Sequence, residues 1–213
     1  MVSRLRCFIG GILFCFFTSS FALHATENDD LVKAMMEVYA EELAANPQDY
    51  RTYYSRAMAY FGQGDMKKAL SDIDNAIKYF PRKEKDDLAQ AYLLRAKILS
   101  ERGEAKSALT DLNSALRLVP NHRLALKDRG DLLCRLGQYD MAKIDYNPLL
   151  RMDTRSQSAF MGLARVEAHT GQPVRAKDLL AQAVNLSPKD PKIYLERSEI
   201  YKETDMITEA VDD

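Results

Sequence analysis

Residues 62–77 read GQGDMKKALSDIDNAI, and two kinds of chemistry compete with one kind of architecture for these sixteen letters. Gly62 and Gly64 ahead of Lys67 and Lys68 resemble a loop that cradles phosphate, and Asp72 with Asp74 resembles a carboxylate pair for a divalent metal. A phosphate loop needs a strand before its glycines, and the preceding residues carry a helical pattern instead. On a helix, Asp72 and Asp74 lie two positions apart, about 200° around the axis, so they cannot share one ion. The remaining reading is a glycine turn that opens an amphipathic helix, with Ala69, Ile73, Ala76 and Ile77 as its apolar stripe.

That reading becomes decisive once the chain is tested for self-similarity. Ala69 recurs as Ala108, Ala142, Ala176 and Ala210, with a first interval of 39 residues and three of 34. Five positions earlier stand Gly64, Gly103, Gly137 and Gly171, with Asp205 as the departure, and twelve earlier stand Ala57, Ala96, Gly130, Ala164 and Ser198. Sixteen earlier come Tyr53, Tyr92, Leu126, Phe160 and Tyr194; twelve later come Pro81, Pro120, Thr154 and Pro188. Each unit is thus a helix, a turn at a residue that tolerates the left-handed conformation, and a second helix closed by proline. The small residues at Ala57 and Ala69 let the two backbones approach.

The pattern resembles the tetratricopeptide repeat family, whose unit is a helix–turn–helix of 34 residues. The resemblance implies an all-α fold, a right-handed superhelix of antiparallel helix hairpins, over residues 50–213. Its units run about 50–83, 89–122, 123–156, 157–190 and 191–213, the last incomplete, and residues 26–49 form a leading half-unit that caps the first hairpin. The unfinished fifth hairpin suggests a piece of a longer protein.

Three departures carry expectations. The long first interval implies a longer charged turn around PRKEKDDL, at residues 81–88, and an early start to the next helix. Pro148 lies inside a second helix, where the missing N–H should kink or split it. Glu167 takes the place of Tyr60, Leu99, Leu133 and Tyr201.

A second pairing runs through the units. Arg56 accompanies Asp72, Arg95 accompanies Asp111, Arg129 accompanies Asp145 and Arg197 accompanies Asp213, always sixteen residues apart; in the fourth unit both members change together, to Leu163 and Leu179. The covariation within one chain predicts a guanidinium on the first helix gripping a carboxylate on the second, a fork that fixes the hairpin.

The first 25 residues differ from the rest. Arg4 and Arg6 precede the apolar run of residues 7–17, and Thr18, Ser19, Ser20, Ala22 and Ala25 follow, which is the layout of a secretory signal peptide. The run is short of the roughly 20 residues a spanning helix needs, so an uncleaved signal anchor is the competing reading. The predicted location is the periplasm or cell envelope, with secretion as the alternative. Cleavage removes Cys7 and Cys15 and leaves Cys134 alone, which excludes an internal disulfide in the mature chain. Phe14 before Cys15 argues against a lipid anchor.

With 30 basic and 31 acidic residues among 213, there is no field to recruit nucleic acid. His24, His122 and His169 have no histidine or cysteine at metal-ligand spacing, and no nucleophile elbow, phosphate loop or zinc-protease motif occurs. No catalytic residue, metal, cofactor or small-molecule substrate is predicted. The resemblance implies instead a protein or peptide partner held against the first helices of the hairpins. In register, that face carries an apolar anchor of Tyr54, Met58 and Phe61 and a cationic path of Lys97, Lys127 and Arg165, with Leu93, Asp131, Cys134, Met161 and His169 beside them. Some members grip a terminal carboxylate of chaperone tails with lysine and asparagine; the corresponding positions here hold Tyr54, Met58, Leu94, Leu124 and Asp128, which disfavours that activity. The expected function is a non-catalytic interaction scaffold. The alternative is the N-terminal sensor or docking region of a larger enzyme or signalling receptor.

Overall fold

The computed structural model describes residues 31–204. The signal-peptide expectation for residues 1–25 and the pairing of Arg197 with Asp213 therefore fall outside, in whole or in part, the described residues. All regular structure among the described residues is helical. The chain divides into two compact units, one ending at Tyr79 and one beginning at Phe80.

In the first unit a helix through residues 31–45, α1, leads into the hairpin of α2 (Tyr50–Gly62) and α3 (Met66–Tyr79). Asp49 caps α2 by accepting the Arg51 N–H at 3.0 Å, and the Thr52 hydroxyl reaches back to Glu42 Oε2 of α1 at 2.8 Å. Ala57 of α2 and Ala69, Ile73 and Ala76 of α3 have no exposed surface, so the two backbones meet over small side chains.

The second unit holds α4 (Lys85–Glu101), α5 (Ala105–Leu118), α6 (Arg123–Arg135), α7 (Tyr139–Met152), α8 (Gln157–His169), α9 (Pro173–Leu186) and α10 (Pro191–Glu203). Consecutive helices pair as α4/α5, α6/α7 and α8/α9, with α10 packed on α8 and α9. Of the five extra residues of the first interval, four lengthen α4, which has 17 residues where the other first helices of the hairpins have 13, and one lengthens the connection before it, residues 80–84 against 119–122 and 153–156.

Every turn between paired helices is built alike. Gly64, Gly103, Gly137 and Gly171 have φ of 78°, 79°, 71° and 76°. At the first turn the Gly64 N–H donates to the Phe61 carbonyl at 3.0 Å and the Asp65 N–H to the Tyr60 carbonyl at 2.9 Å. The same two bonds recur at the other three glycines, a Schellman closure that satisfies carbonyls the helix end leaves open. A Cβ at any of these glycines would meet no atom within 4 Å, so the requirement is conformational and not a matter of space.

Of the two outcomes expected at Pro148, the split does not occur: α7 runs unbroken from Tyr139 to Met152. The N–H that proline lacks would have bonded the carbonyl of Ile144, which lies on the exposed side of the helix with 67% of its surface open, where water can serve that carbonyl instead.

Candidate functional site: the first-helix faces of the hairpins

The buried charge serves the hairpins. Arg56 Nε and Nη2 donate to Asp72 at 2.7 and 2.9 Å, and Arg95 Nε and Nη2 donate to Asp111, both at 2.7 Å. Arg129 makes the same two-pronged contact with Asp145, its Nε donating at 2.8 Å, and adds a bond from Nη1 to Asn113 Oδ1 at 2.8 Å. The three carboxylates are buried while each arginine keeps about a fifth to a quarter of its side chain open, at 21–24%. The hydrogen bond to Asp72, followed by its charge, raises the Arg56 pKa against the opposing effect of burial. A tyrosine one helical turn earlier completes the motif: the Arg56 guanidinium lies 5.8 Å from the Tyr53 ring, Arg95 lies 5.6 Å from Tyr92 and Arg197 lies 5.2 Å from Tyr194. In the fourth hairpin Leu163 is 5% exposed, and Leu179 packs against the apolar cluster around Ala164, Leu180 and Ala183.

The anchor residues lie together on α2. Met58 is 50% exposed and Tyr54 and Phe61 are half-buried, so the leading helix does not cover Met58. The cationic path, by contrast, is not a run of open charge. Lys127 Nζ lies 2.6 Å from Asp131 Oδ2, Lys97 Nζ lies 3.8 Å from Asp128 Oδ2, and Arg165 Nε lies 3.2 Å from Glu203 Oε2. Each of these three cations faces a carboxylate. Leu93, Cys134 and Met161, expected on that face, are buried at 3%, 5% and 5% and belong to the core.

Two groups have contacts that the sequence reading did not foresee. Tyr146 stands where Ile73, Leu112 and Leu180 stand in the other hairpins, and it is fully buried. Its ring fills a slot made by two glycines: a Cβ on Gly130 would come within 2.8 Å of it and one on Gly162 within 2.3 Å. Its hydroxyl donates to Asp131 Oδ1 at 2.6 Å, which links a buried phenol to the Lys127–Asp131 pair on the surface. Burial pushes the Tyr146 phenol and the Cys134 thiol above their ordinary pKa values, so the thiol stays protonated and is a poor nucleophile. The signal was present as the coincidence of a tyrosine at an aliphatic position with Gly130 and Gly162. Glu167 is the second group: only 2% exposed, its Oε1 lies 2.8 Å from Lys143 Nζ of α7 and 3.5 Å from Arg175 Nε of α9. It replaces aliphatic packing by an ion pair that ties three helices together.

The ends of α6, α8 and α10, with the start of α7, enclose a cleft of about 380 Å³. Tyr139 and His169 stack as one flat wall, ring centroids 4.6 Å apart and planes 11° apart. Arg165 and Glu203 lie across from each other, with Arg135 and Glu199 also lining the cleft. Among the described residues, no group of three histidine, cysteine, aspartate or glutamate side chains is placed to hold a metal, and no helix is long and apolar enough to cross a membrane.

This repeated hairpin defines a class before it defines a protein: an all-α solenoid assembled from helix pairs. The chain belongs to the tetratricopeptide repeat family, whose sequence profile matches residues 36–86, 54–123 and 127–191. A tetratricopeptide repeat protein from Parabacteroides merdae superposes with a TM-score of 0.75 at 25% identity, covering 91% of this chain and 74% of that one. The structure of MamA is similar with a TM-score of 0.68 at 17% identity, over 79% of this chain and 95% of that one. YrrB, described as a tetratricopeptide protein with an unusual peptide-binding site, gives 0.66 at 19% identity over 84% and 89%. A sequence comparison with curated proteins finds no match.

Proposed function

We propose that this protein is a non-catalytic interaction scaffold that holds a partner peptide or helix against the first helices of its hairpins. The observation that carries the reading is a division of labour. The buried charges, Asp72, Asp111, Asp145 and Glu167, are all bonded within or between helices, where they fix the geometry. The first-helix face of α2 keeps large side chains open, with Met58 half exposed beside Tyr54 and Phe61, which is the composition of a binding anchor. The peptide-binding site attributed to YrrB, on the same fold, is consistent with this use.

The reading includes export to the periplasm or cell envelope, on the layout of residues 1–25. Fractionation followed by N-terminal sequencing tests it: a mature chain beginning near residue 26 supports export, and a cytoplasmic chain that retains Arg4 and Arg6 refutes it. The scaffold itself is tested by affinity capture from an envelope fraction, with a Tyr54→Ala/Phe61→Ala variant alongside. The wild type should retain a partner that the variant loses; equal capture by both removes the proposed anchor.

A further inference from the structure

We propose that the cleft at the ends of α6, α8 and α10 is a carboxylate site that receives an acidic side chain of an extended peptide, and that Glu203 occupies it in the unliganded protein. The inference rests on the interaction reading and names the chemistry of one contact within it. Arg165 is the centre of the argument. Its side chain is 25% exposed, yet its Nε is buried and makes no hydrogen bond among the described residues. Glu203 Oε2 stands 3.2 Å away, near enough for an ion pair but too far off the N–H axis to be a hydrogen bond. The same oxygen lies 3.4 Å from His169 Nε2. One carboxylate oxygen thus sits between two nitrogens and satisfies the arginine poorly, although a guanidinium presents parallel donors that a carboxylate can fill with two bonds.

The surroundings favour an exchangeable occupant. Glu203 belongs to the last turn of α10 and keeps 45% of its side chain open, so it can swing into water at little cost, as exposed pairs contribute little. Arg165 cannot follow it: leaving Nε buried and unbonded is unfavourable, and a better-aligned carboxylate relieves that. The stacked rings of Tyr139 and His169 give the site a flat wall against which peptide can lie, and Arg135 supplies a second cation among the lining residues. The occupant is a side-chain carboxylate because the group that already stands between Arg165 and His169, Glu203, is one. These residues are not those at which other family members hold a terminal carboxylate.

An array of diverse 15-residue peptides, acetylated and amidated so that none carries a terminal charge, tests the proposal with the full chain. The bound set should be enriched in aspartate and glutamate. Arg165→Gln should weaken the acidic binders about tenfold or more, the scale of a lost charged hydrogen bond. Arg165→Lys, which keeps the charge without the fork, should recover part of that. Glu203→Gln should strengthen the same binders about two- to fivefold by removing the competing carboxylate. A gain cannot arise from misfolding, so this variant keeps the test decisive if Arg165→Gln proves unstable. A bound set without acidic preference, indifference to all three substitutions, or binding seen only with free C-terminal carboxyl groups overturns the carboxylate site and leaves the scaffold reading standing. Failure to bind any peptide overturns both.

Discussion

The hairpins α6/α7 and α8/α9 are neighbours of equal helix lengths, 13 and 14 residues in each, and they join their helices by opposite chemistry. The first is pinned by Arg129 on Asp145, with a buried phenol beside it; the second places Leu163 and Leu179 at the same register positions. The contrast shows that the repeat does not require one particular interaction at this pair of positions. A forked ion pair and two leucines fill similar space, but they fail differently. The leucines lose packing when one is truncated, whereas the ion pair leaves a charge stranded in the interior.

That difference sets the largest predicted effect. Arg129→Leu should destabilise the protein by roughly 3–5 kcal/mol, because the Asp145 carboxylate, at 1% exposure, loses the donors that bond both its oxygens. The double variant Arg129→Leu/Asp145→Leu copies the neighbouring hairpin and should come close to wild type. Urea midpoints measured on both variants check the comparison, and a double variant as unstable as the single one breaks it.

Next in size is the joint between the two hairpins. Gly162 of α8 receives the Tyr146 ring of α7, and an alanine Cβ there would come within 2.3 Å of ring carbons that have no exposed surface to retreat into. Gly162→Ala should cost about 1–3 kcal/mol by overpacking. Combining it with Tyr146→Leu, the residue type at 112 and 180, should recover part of the loss. A strictly additive double variant would show that ring and glycine do not share the slot.

The turns are what the two hairpins share. Gly137→Ala and Gly171→Ala should each cost about 1–2 kcal/mol, since alanine pays for left-handed φ without any crowding. Unequal values, measured by the same urea titration, would mean that the turns are not equivalent despite matching bonds.

Much of this was legible in the sequence because it rests on residues that repeat. The Gly64 series located the turns, the Ala57 and Ala69 series located the helix crossings, and the sixteen-residue spacing located the arginine–aspartate forks. What escaped were contacts that occur once. Tyr146 looks like an ordinary aliphatic substitute until Gly130 and Gly162 are seen on two other helices, and their convergence is a fact of three dimensions. Glu167 read as a broken position because its partners Lys143 and Arg175 lie on different helices from it and from each other. The carboxylates beside the cationic path were hidden for the same reason. Lys97 and Asp128 are far apart in the sequence, as are Arg165 and Glu203, and periodicity within a unit says nothing about charge brought from the next one.

The smallest predicted effect concerns a charge that neither hairpin strategy accommodates. Asp128 of α6 has one buried carboxylate oxygen, Oδ2, without a hydrogen bond, and its closest cations, Lys97 and Lys127, both stand at 3.8 Å. Burial raises its pKa above the ordinary carboxylate value; the two lysines oppose the shift and Asp131 adds to it. The folded protein therefore binds this proton more tightly than the unfolded chain does, so stability falls as pH rises from the ordinary carboxylate pKa through the raised one, and stays reduced above it. Asp128→Asn removes that penalty. It should raise the urea midpoint slightly at neutral pH, with the gain fading as pH drops below the ordinary carboxylate range, where Asp128 is neutral in both states. A variant less stable at neutral pH would mean that the attraction of Lys97 and Lys127 outweighs burial, and that α6 gains stability from this carboxylate as it does from Asp145 on α7.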